Sequence, residues 1–563
     1  MGHQTLRRGR RGDERGYIAV TTGLLLLVLI AFSAFAVDVG NWYLTGQRAQ
    51  RAADAAALGG VVKLPDDLTG ATTLANTFAT TNGFTTSATS PVTTVASSLG
   101  GSPTRLRVDV TRTVNNIFGP LLGRPTTTIS RHAIADYIGP VPMGSPCNEY
   151  GNDPESTSAT RGSACNAVQG NFWANVNGPN ALKQNGDAYS SVGCSTTVTG
   201  RDGCTGATNN EYDPAGYLYT IAVKQSLPSI TIALFDPVFV DVGLTCGFNS
   251  SDPVSNFGSG NTLASKAVNP YHPVSSTNAG DRYAIVPTGS ANSAAWPWCT
   301  GDNSYSGSQV ENTTFTVRAP GASMWDPMSG AVKCTRTFGG YTGSLYSALR
   351  KTSPVGTYRD DIAEGFRQWV TLCTIANPEI GDYSMQVTSN VGGVYNNADT
   401  GNRYAVRVTA SDLNAVTVSG RQRMGMFANK NSGVTNFHLA RILSGTAGSI
   451  LKVSLYDVGD STQTGTIRIN PPGSGTYSGC TGAGVTTVIG SDCSFRVTSG
   501  NPSVFNGRLQ VVSVPIPTSY SCNDIDPTDC WVTLTYDYGS GAQPTDVTTW
   551  SANLEGDPIR LIE

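Results

Sequence analysis

The segment IAVTTGLLLLVLIAFSAFAV, Ile18 to Val37, carries no charged side chain and lies between Arg15 and Asp38. As a helix rising about 1.5 Å per residue it is roughly 30 Å long, the hydrocarbon thickness of a bilayer. Ile18, Leu24, Leu27, Ile30 and Val37 are its membrane-anchor candidates. Arg7, Arg8, Arg10, Arg11 and Arg15 precede it. The positive-inside bias then makes residues 1–16 a cytoplasmic basic segment and puts the bulk of the chain outside, as in a single-pass bacterial membrane protein with its mass at the cell surface or in the periplasm.

On the far side the chain continues as VDVGNWYLTGQRAQRAADAAALGG, with no Pro until Pro65. Ala49, Ala52, Ala53, Ala56 and Ala57 recur at helical spacing, and Gly59-Gly60 offers a C-terminal stop. This pattern predicts one helix from about Tyr17 to Leu58, within a segment 17–60, half in the bilayer and half beyond it. The same N-terminus satisfies a secretory signal, with Ala34-Phe35-Ala36 as the small-residue cleavage site before Val37. The length of the apolar run and its unbroken passage into a helical pattern favour a retained anchor.

Composition narrows the rest. A chain of 563 residues is too long for one core and suggests about three domains. Charged residues are only 14% and the net charge is −3, so no basic field for nucleic acid exists beyond Arg15. Gly 64 and Pro 30 point to turns and short strands, while 39% apolar residues suffice for cores. The twelve cysteines are Cys147, Cys165, Cys194, Cys204, Cys246, Cys299, Cys334, Cys373, Cys480, Cys493, Cys522 and Cys530, and all follow the apolar run. An even count outside the cytoplasm, with no CxxC and only four histidines, reads as disulfides rather than a metal site. Cys480 with Cys493 and Cys522 with Cys530 are close in sequence; the pairing is otherwise open.

Residues 61–140 read as a small α+β module. Ala71–Phe84 has weak helical character, and Pro91–Ser97 and Thr104–Thr111 alternate as strands, with Leu106, Val108 and Val110 on one face. Thr113–Leu122 is expected as a short amphipathic helix presenting Val114, Ile117, Phe118 and Leu121, and Thr126–Ile138 as a third strand. His132 in that strand is read as a surface or partly packed residue.

ERGYIAV, the apolar run and FAVDVGNWYLTGQRAQRAADAAALGG together resemble the N-terminus of TadG-like proteins of tight-adherence (Flp) pilus assembly, of the TadE/TadG type. The resemblance extends to Arg105–Tyr137. It implies a pilin-like α+β module and a membrane-anchored component of a pilus or surface-assembly apparatus. Its partners would then be the lipid bilayer and pilus or secretion-apparatus proteins, with self-association through the N-terminal helix. Pilins cut by a prepilin peptidase carry Gly at the cut and Glu five residues later. Here Gly16 is followed at that place by Thr21, and no acid lies inside the apolar run. The departure favours a stationary anchor over a subunit that leaves the membrane.

Beyond the linker marked by Pro140, Pro142 and Pro146 the chain repeats itself. Residues 219–223 and 232–236 (YTIAV, IALFD) match 437–442 and 453–457 (FHLARI, VSLYD). Residues 316–320 (TVRAP) match 466–471 (TIRINP), and Trp369-Val370-Thr371-Leu372 matches Trp531-Val532-Thr533-Leu534. Each is strand-like, and short strands closed by Gly-, Asn- and Asp-Pro turns suit antiparallel sandwiches. The fold class expected is therefore a transmembrane helix with a small α+β pilin-like module, followed by two related β-sandwich domains, 147–395 and 396–563. The first holds a long insertion, 249–315, which Cys246 and Cys299 would pin.

Chemistry-bearing motifs are sparse. Asp457 and Asp460, with Asp236 and Asp241 at the matching place of the first repeat, are weak calcium candidates lacking EF-hand spacing, and Asp and Gly are also ordinary turn formers. No nucleophile elbow, HExxH, P-loop lysine or SxxK set occurs, so no enzyme and no cofactor is expected. Asp360, Asp361 and Glu364 read as a solvated face of a short helix. Trp296, Trp298, Trp325 and Tyr305 read as loop anchors or, alternatively, a sugar-stacking surface. The expected function is a structural or assembly component of a tight-adherence-type pilus; the alternative is an anchored surface adhesin or glycan-binding protein with β-sandwich modules.

Overall fold

The structure is a computed structural model that describes the chain outside residues 1–13, 65–67, 86–91, 99–104, 138, 168–171, 195–207, 245–299, 306–308, 322–323, 325, 342–347, 349–357, 392–398, 430–432, 462, 474, 484–488, 498–504, 506, 540–544, 556–558 and 562–563. Arg7, Arg8, Arg10, Arg11, Cys204, Cys246, Cys299, Trp296, Trp298 and Trp325, and most of the expected insertion, lie outside the described residues. The chain forms two compact units: Met1–Tyr137 with Pro558–Glu563, and Ile138–Asp557.

The first unit is a long helix, α1 (Glu14–Val61), and a shorter one, α2 (Leu68–Thr81), on an antiparallel sheet. The sheet runs β1 (Val92–Ser98), β2 (Arg105–Asn115), β3 (Thr126–Tyr137) and then the C-terminal strand Ile559–Leu561, which pairs with β3. The chain end therefore returns to the N-terminal unit, correcting the expectation that 396–563 forms one domain. Leu106, Val108 and Val110 are fully buried, because alternation turns every second β2 side chain toward the helices. The expected helix over Thr113–Leu122 is replaced by strand as far as Asn115 and a single 3-10 turn at Gly119–Leu122. Thr113 and Val114 are β-branched and pair with Thr128 and Thr127 of β3, while Gly119-Pro120 cannot propagate an α-helix.

The second unit contains two sandwiches of one design. The first is built from β5 (Tyr217–Val223), β6 (Ser229–Phe235), β7 (Glu311–Arg318), β8 (Val332–Phe338), β9 (Trp369–Ala376), β10 (Gly381–Val391) and β11 (Thr400–Ala410), preceded in the chain by β4 (Trp173–Asn177). After β12 (Val416–Arg421) and β13 (Arg423–Asn429) come β14 (Val434–Arg441), β15 (Ile450–Tyr456), β16 (Gly465–Asn470), β17 (Ser494–Val497), β18 (Leu509–Pro515), β19 (Trp531–Asp537) and β20 (Thr545–Glu555). One sheet of the first sandwich has the order β8-β7-β10-β5, and its counterpart in the second is β17-β16-β19-β14. The facing sheets are β9-β6-β11 and β18-β15-β20. The two orders superimpose strand for strand, so the repeat is a repeat of topology.

Two expectations change. The boundary at 395/396 is displaced, because β11 and β12, both beyond it, hydrogen-bond to β6 and β5. The second sandwich begins only at β14. The match of Trp369 with Trp531 also fails. Trp369 opens β9 opposite Phe235, and the residue in that place of the second sandwich is Leu509, opposite Tyr456. β19, which holds Trp531, instead takes the place of β10 between two strands of the other sheet. β4 and β13 bridge the three-stranded sheets and, with the short strands Glu149–Tyr150, Asn303–Ser304 and Thr481–Ala483, make one 11-stranded sheet. Residues of β4 are buried throughout, with Trp173 stacked on Phe235 at 5.3 Å.

Each core forms where the inward faces of its sheets meet. In the first sandwich Phe315 and Tyr404 meet edge to face at 5.0 Å, and the hydroxyls of Tyr219 and Tyr404 hydrogen-bond at 2.8 Å. In the second, Phe437 meets Trp550 at 5.1 Å. A disulfide ties the sheets of each: Cys334 of β8 to Cys373 of β9, and Cys493, just before β17, to Cys480 beside the short strand that edges β18.

Candidate membrane anchor and stalk module

Helix α1 changes character along its length. Over the apolar run its large side chains are exposed on every side, Leu24 by 59%, Leu27 by 65% and Ile30 by 55%. Ile18 and Val37 are exposed as well. Among the described residues this is the one helix long and apolar enough to cross a membrane. An exposed helix that is apolar on all sides has the character of a bilayer span.

Beyond Val37 the same helix is half buried by its own unit. Ala49, Ala52, Ala53, Ala56 and Ala57 are completely buried, and α2 answers with buried Ala71, Ala75 and Ala79. Small residues on both partners let the backbones approach closely. Gly59-Gly60 does not stop the helix, which runs on to Val61. The pair serves that approach instead: a Cβ on Gly59 would lie 2.2 Å from the Phe78 ring, and one on Gly60 2.7 Å from the Ala71 carbonyl oxygen.

The link between the helix and the turn is Asp38, the first residue after the apolar run and only 3% exposed. Its carboxylate accepts the backbone N–H groups of Ile117 at 2.7 Å, Phe118 at 3.1 Å and Gly119 at 2.9 Å. Trp42 donates its indole N–H to Asn116 Oδ1 at 2.7 Å, and Asn116 in turn donates to the Arg124 carbonyl at 2.8 Å. Gln50 donates to the His132 carbonyl at 3.0 Å, so His132 serves through its backbone. Polar groups of α1 thereby hold the β2–β3 turn and the middle of β3. The sequence pattern marked Asp38 only as part of a family string; its capping role depends on a turn about eighty residues away.

In the second unit the calcium candidates occupy turns. Asp236 and Asp457 follow β6 and β15, at positive φ of 50° and 62°. Asp236 accepts the Arg367 N–H at 2.8 Å and the Thr300 hydroxyl at 2.7 Å, and donates its own N–H to the Gln368 carbonyl at 3.0 Å. Asp457 accepts the Gly507 N–H and donates to the Arg508 carbonyl at 3.0 Å. Arg367 and Gly507, both at positive φ, stand two residues before β9 and β18, so the device is the same in both repeats. Burial pushes the Asp236 carboxyl up to about 7 against the pull of its two hydrogen bonds. Asp241 accepts the Ser304 N–H at 3.3 Å, and Asp460 donates its N–H to Asp546 at 3.3 Å. The carboxylates of Asp236, Asp457 and Asp241 lock loops, Asp460 is held through its backbone, and among the described residues the four are not gathered into one metal-ligand group. Among the described residues the one cluster of metal-ligand type is Cys522, Asp524 and Cys530, and its two cysteines are bonded to each other.

Cys147 and Cys165 form a fourth disulfide, and Cys194 is also disulfide-bonded. The acids of TYRDDIAEGF lie on the short helix Asp360–Gly365, where Asp361 pairs with Arg359 and Glu364 with Arg336. Tyr305 accepts a hydrogen bond from Arg403 at 2.9 Å.

A bare apolar helix that becomes the packed spine of a helix-on-sheet module defines the class: a membrane-anchored protein with a small α+β module and, in a second unit, β-sandwich domains. Residues 16–63 match a family described as putative Flp pilus-assembly TadE/G-like. The match covers α1 from Gly16 onward and the two residues after it, and the FAVDVG and AADAAALGG strings fall inside it; Arg105–Tyr137 lies beyond the match. No curated protein and no solved structure matches the chain.

Proposed function

We propose that the protein is a structural, non-enzymatic component of a tight-adherence-type pilus or related surface apparatus, held in the membrane by α1 and projecting its β-sandwich unit on the outer side. The observation that carries this reading is the coincidence of the pilus-assembly match with a helix bare over Ile18–Val37 and buried in its own module beyond it. The disulfides of the second unit support an extracytoplasmic position, since such bonds persist in oxidising compartments. The absence of an acid from the apolar run supports a stationary anchor.

The test is isolation of the full chain from native membranes bearing intact pili, after mild cross-linking. Recovery of pilus or secretion-apparatus proteins is the expected result. Recovery of none, with the solubilised chain binding a glycan array, would overturn the assignment in favour of an adhesin. N-terminal sequencing of the mature protein separates a retained helix from a chain beginning at Val37.

A further inference from the structure

The turn between β2 and β3 has no aqueous rationale. From Ile117 to Gly123 it reads IFGPLLG, without a charge or a hydrogen-bonding side chain. Ile117 is 61% exposed and Leu121 84% exposed. Contiguous exposed apolar side chains at a loop tip are uncommon on a water-facing surface and mark an interaction site.

The turn's place on α1 identifies the partner. Asp38 clamps its backbone one residue past the end of the apolar run. Phe118 reaches back along the helix and lines an apolar groove with Leu26, Ile30, Ala34 and Val37, inside the run itself. We propose that Ile117–Leu121 is a second membrane contact, a wedge that enters the lipid leaflet on the side of the α+β module and lies beside α1. The proposal rests on the reading of Ile18–Val37 as a bilayer span.

Three further features suit a lipid environment. Backbone donors in hydrocarbon must be satisfied within the protein. Here Ile117, Phe118 and Gly119 donate to Asp38, Leu121 to the Phe118 carbonyl, Gly123 to Pro120 and Arg124 to Gly119, while Pro120 has no N–H. The polar boundary lies just above the wedge: Trp42, bonded to Asn116, and exposed Tyr43 are aromatics of the kind that sit at headgroup level. Arg124, which follows the turn, is exposed and carries the charge that pairs with a lipid phosphate. A helix alone is free to tilt and rotate in a bilayer; a helix with a wedge clamped beside it presents a fixed face.

The test places a benzophenone amino acid at position 121 of the full chain, reconstituted in vesicles of phosphatidylcholine and phosphatidylglycerol. Parallel probes go at position 29 in the run and at position 78. Phe78 packs at Gly59, about 30 Å along α1 from Asp38. After irradiation, mass spectrometry should find lipid adducts at 121 in yield comparable with 29, and none at 78. Adducts at 29 but not 121 overturn the wedge and leave the span standing; no adduct at either position overturns both. Cross-links from 121 to protein, whether a second copy or another chain, overturn the proposal, as would equal lipid labelling at 78.

Discussion

Replacing Gly60 with Ala tests whether the glycine pair of α1 is a packing point or a helix stop. The new Cβ would stand 2.7 Å from the Ala71 carbonyl oxygen, 2.7 Å from Leu106 Cδ2 and 3.0 Å from Ala75 Cβ. The leucine can swing aside, but the carbonyl belongs to α2 and moves only with that helix. Overpacking of this kind costs about 1–3 kcal/mol. Alanine's better helix propensity returns up to about 1 kcal/mol. The net effect is a loss of roughly 1–2 kcal/mol, a five- to thirtyfold change in the opening equilibrium. Hydrogen exchange of the full chain in micelles reads it directly at the amides of Leu68–Thr81. Gly40→Ala is the control: nothing lies within 4 Å of its Cβ, so α2 protection should hold or rise. If Gly60→Ala also leaves α2 protection unchanged or raises it, the close approach of α1 to α2 is wrong and the glycines act only at the helix end.

Asp236→Ala and Asp457→Ala should each destabilise the second unit by about 2–4 kcal/mol in denaturant melts, through lost buried hydrogen bonds and a residue ill suited to positive φ, and the Asn variants should recover much of it. Because burial raises Asp236 to about 7, the folded state keeps a proton that the unfolded state releases near pH 4. Its contribution to stability therefore declines as pH rises from about 4 to 7, and Asp236→Asn should flatten that slope. His438 is shifted the other way, down to about 4 by burial. The fold holds it neutral, stability falls as pH drops from about 6.5 toward 4, and His438→Gln should remove the fall. Replacing both Cys334 and Cys373 by Ala should cost about 3–4 kcal/mol in the first sandwich, read by thermal melting, since the bond closes a long loop between opposite sheets.

What was legible in the sequence was local. The Ile18–Val37 span, the alanine stripe of α1 and the alternation of Leu106, Val108 and Val110 are each set by a period read within one element. What was not legible depended on partners distant in the chain. The edge at 395/396 looked like a boundary, yet β11 pairs with β6 across the whole insertion. The C-terminal strand carries no mark that it belongs beside β3. The tetrapeptide shared by Trp369 and Trp531 misled for the same reason: strands alike in pattern are distinguished only by register, which lies in the neighbour. Asp236 and Asp457 show the opposite case. Their match survived because the chemistry of the turn is local: a short acid that tolerates the left-handed region and accepts the N–H of the incoming strand. The same acids read as weak metal ligands from sequence, since a carboxylate at a turn has oxygens to offer either way. The structure supplies amide donors to Asp236 and Asp457 in both repeats, and that shared use, more than the shared letters, argues that the two sandwiches descend from one pattern.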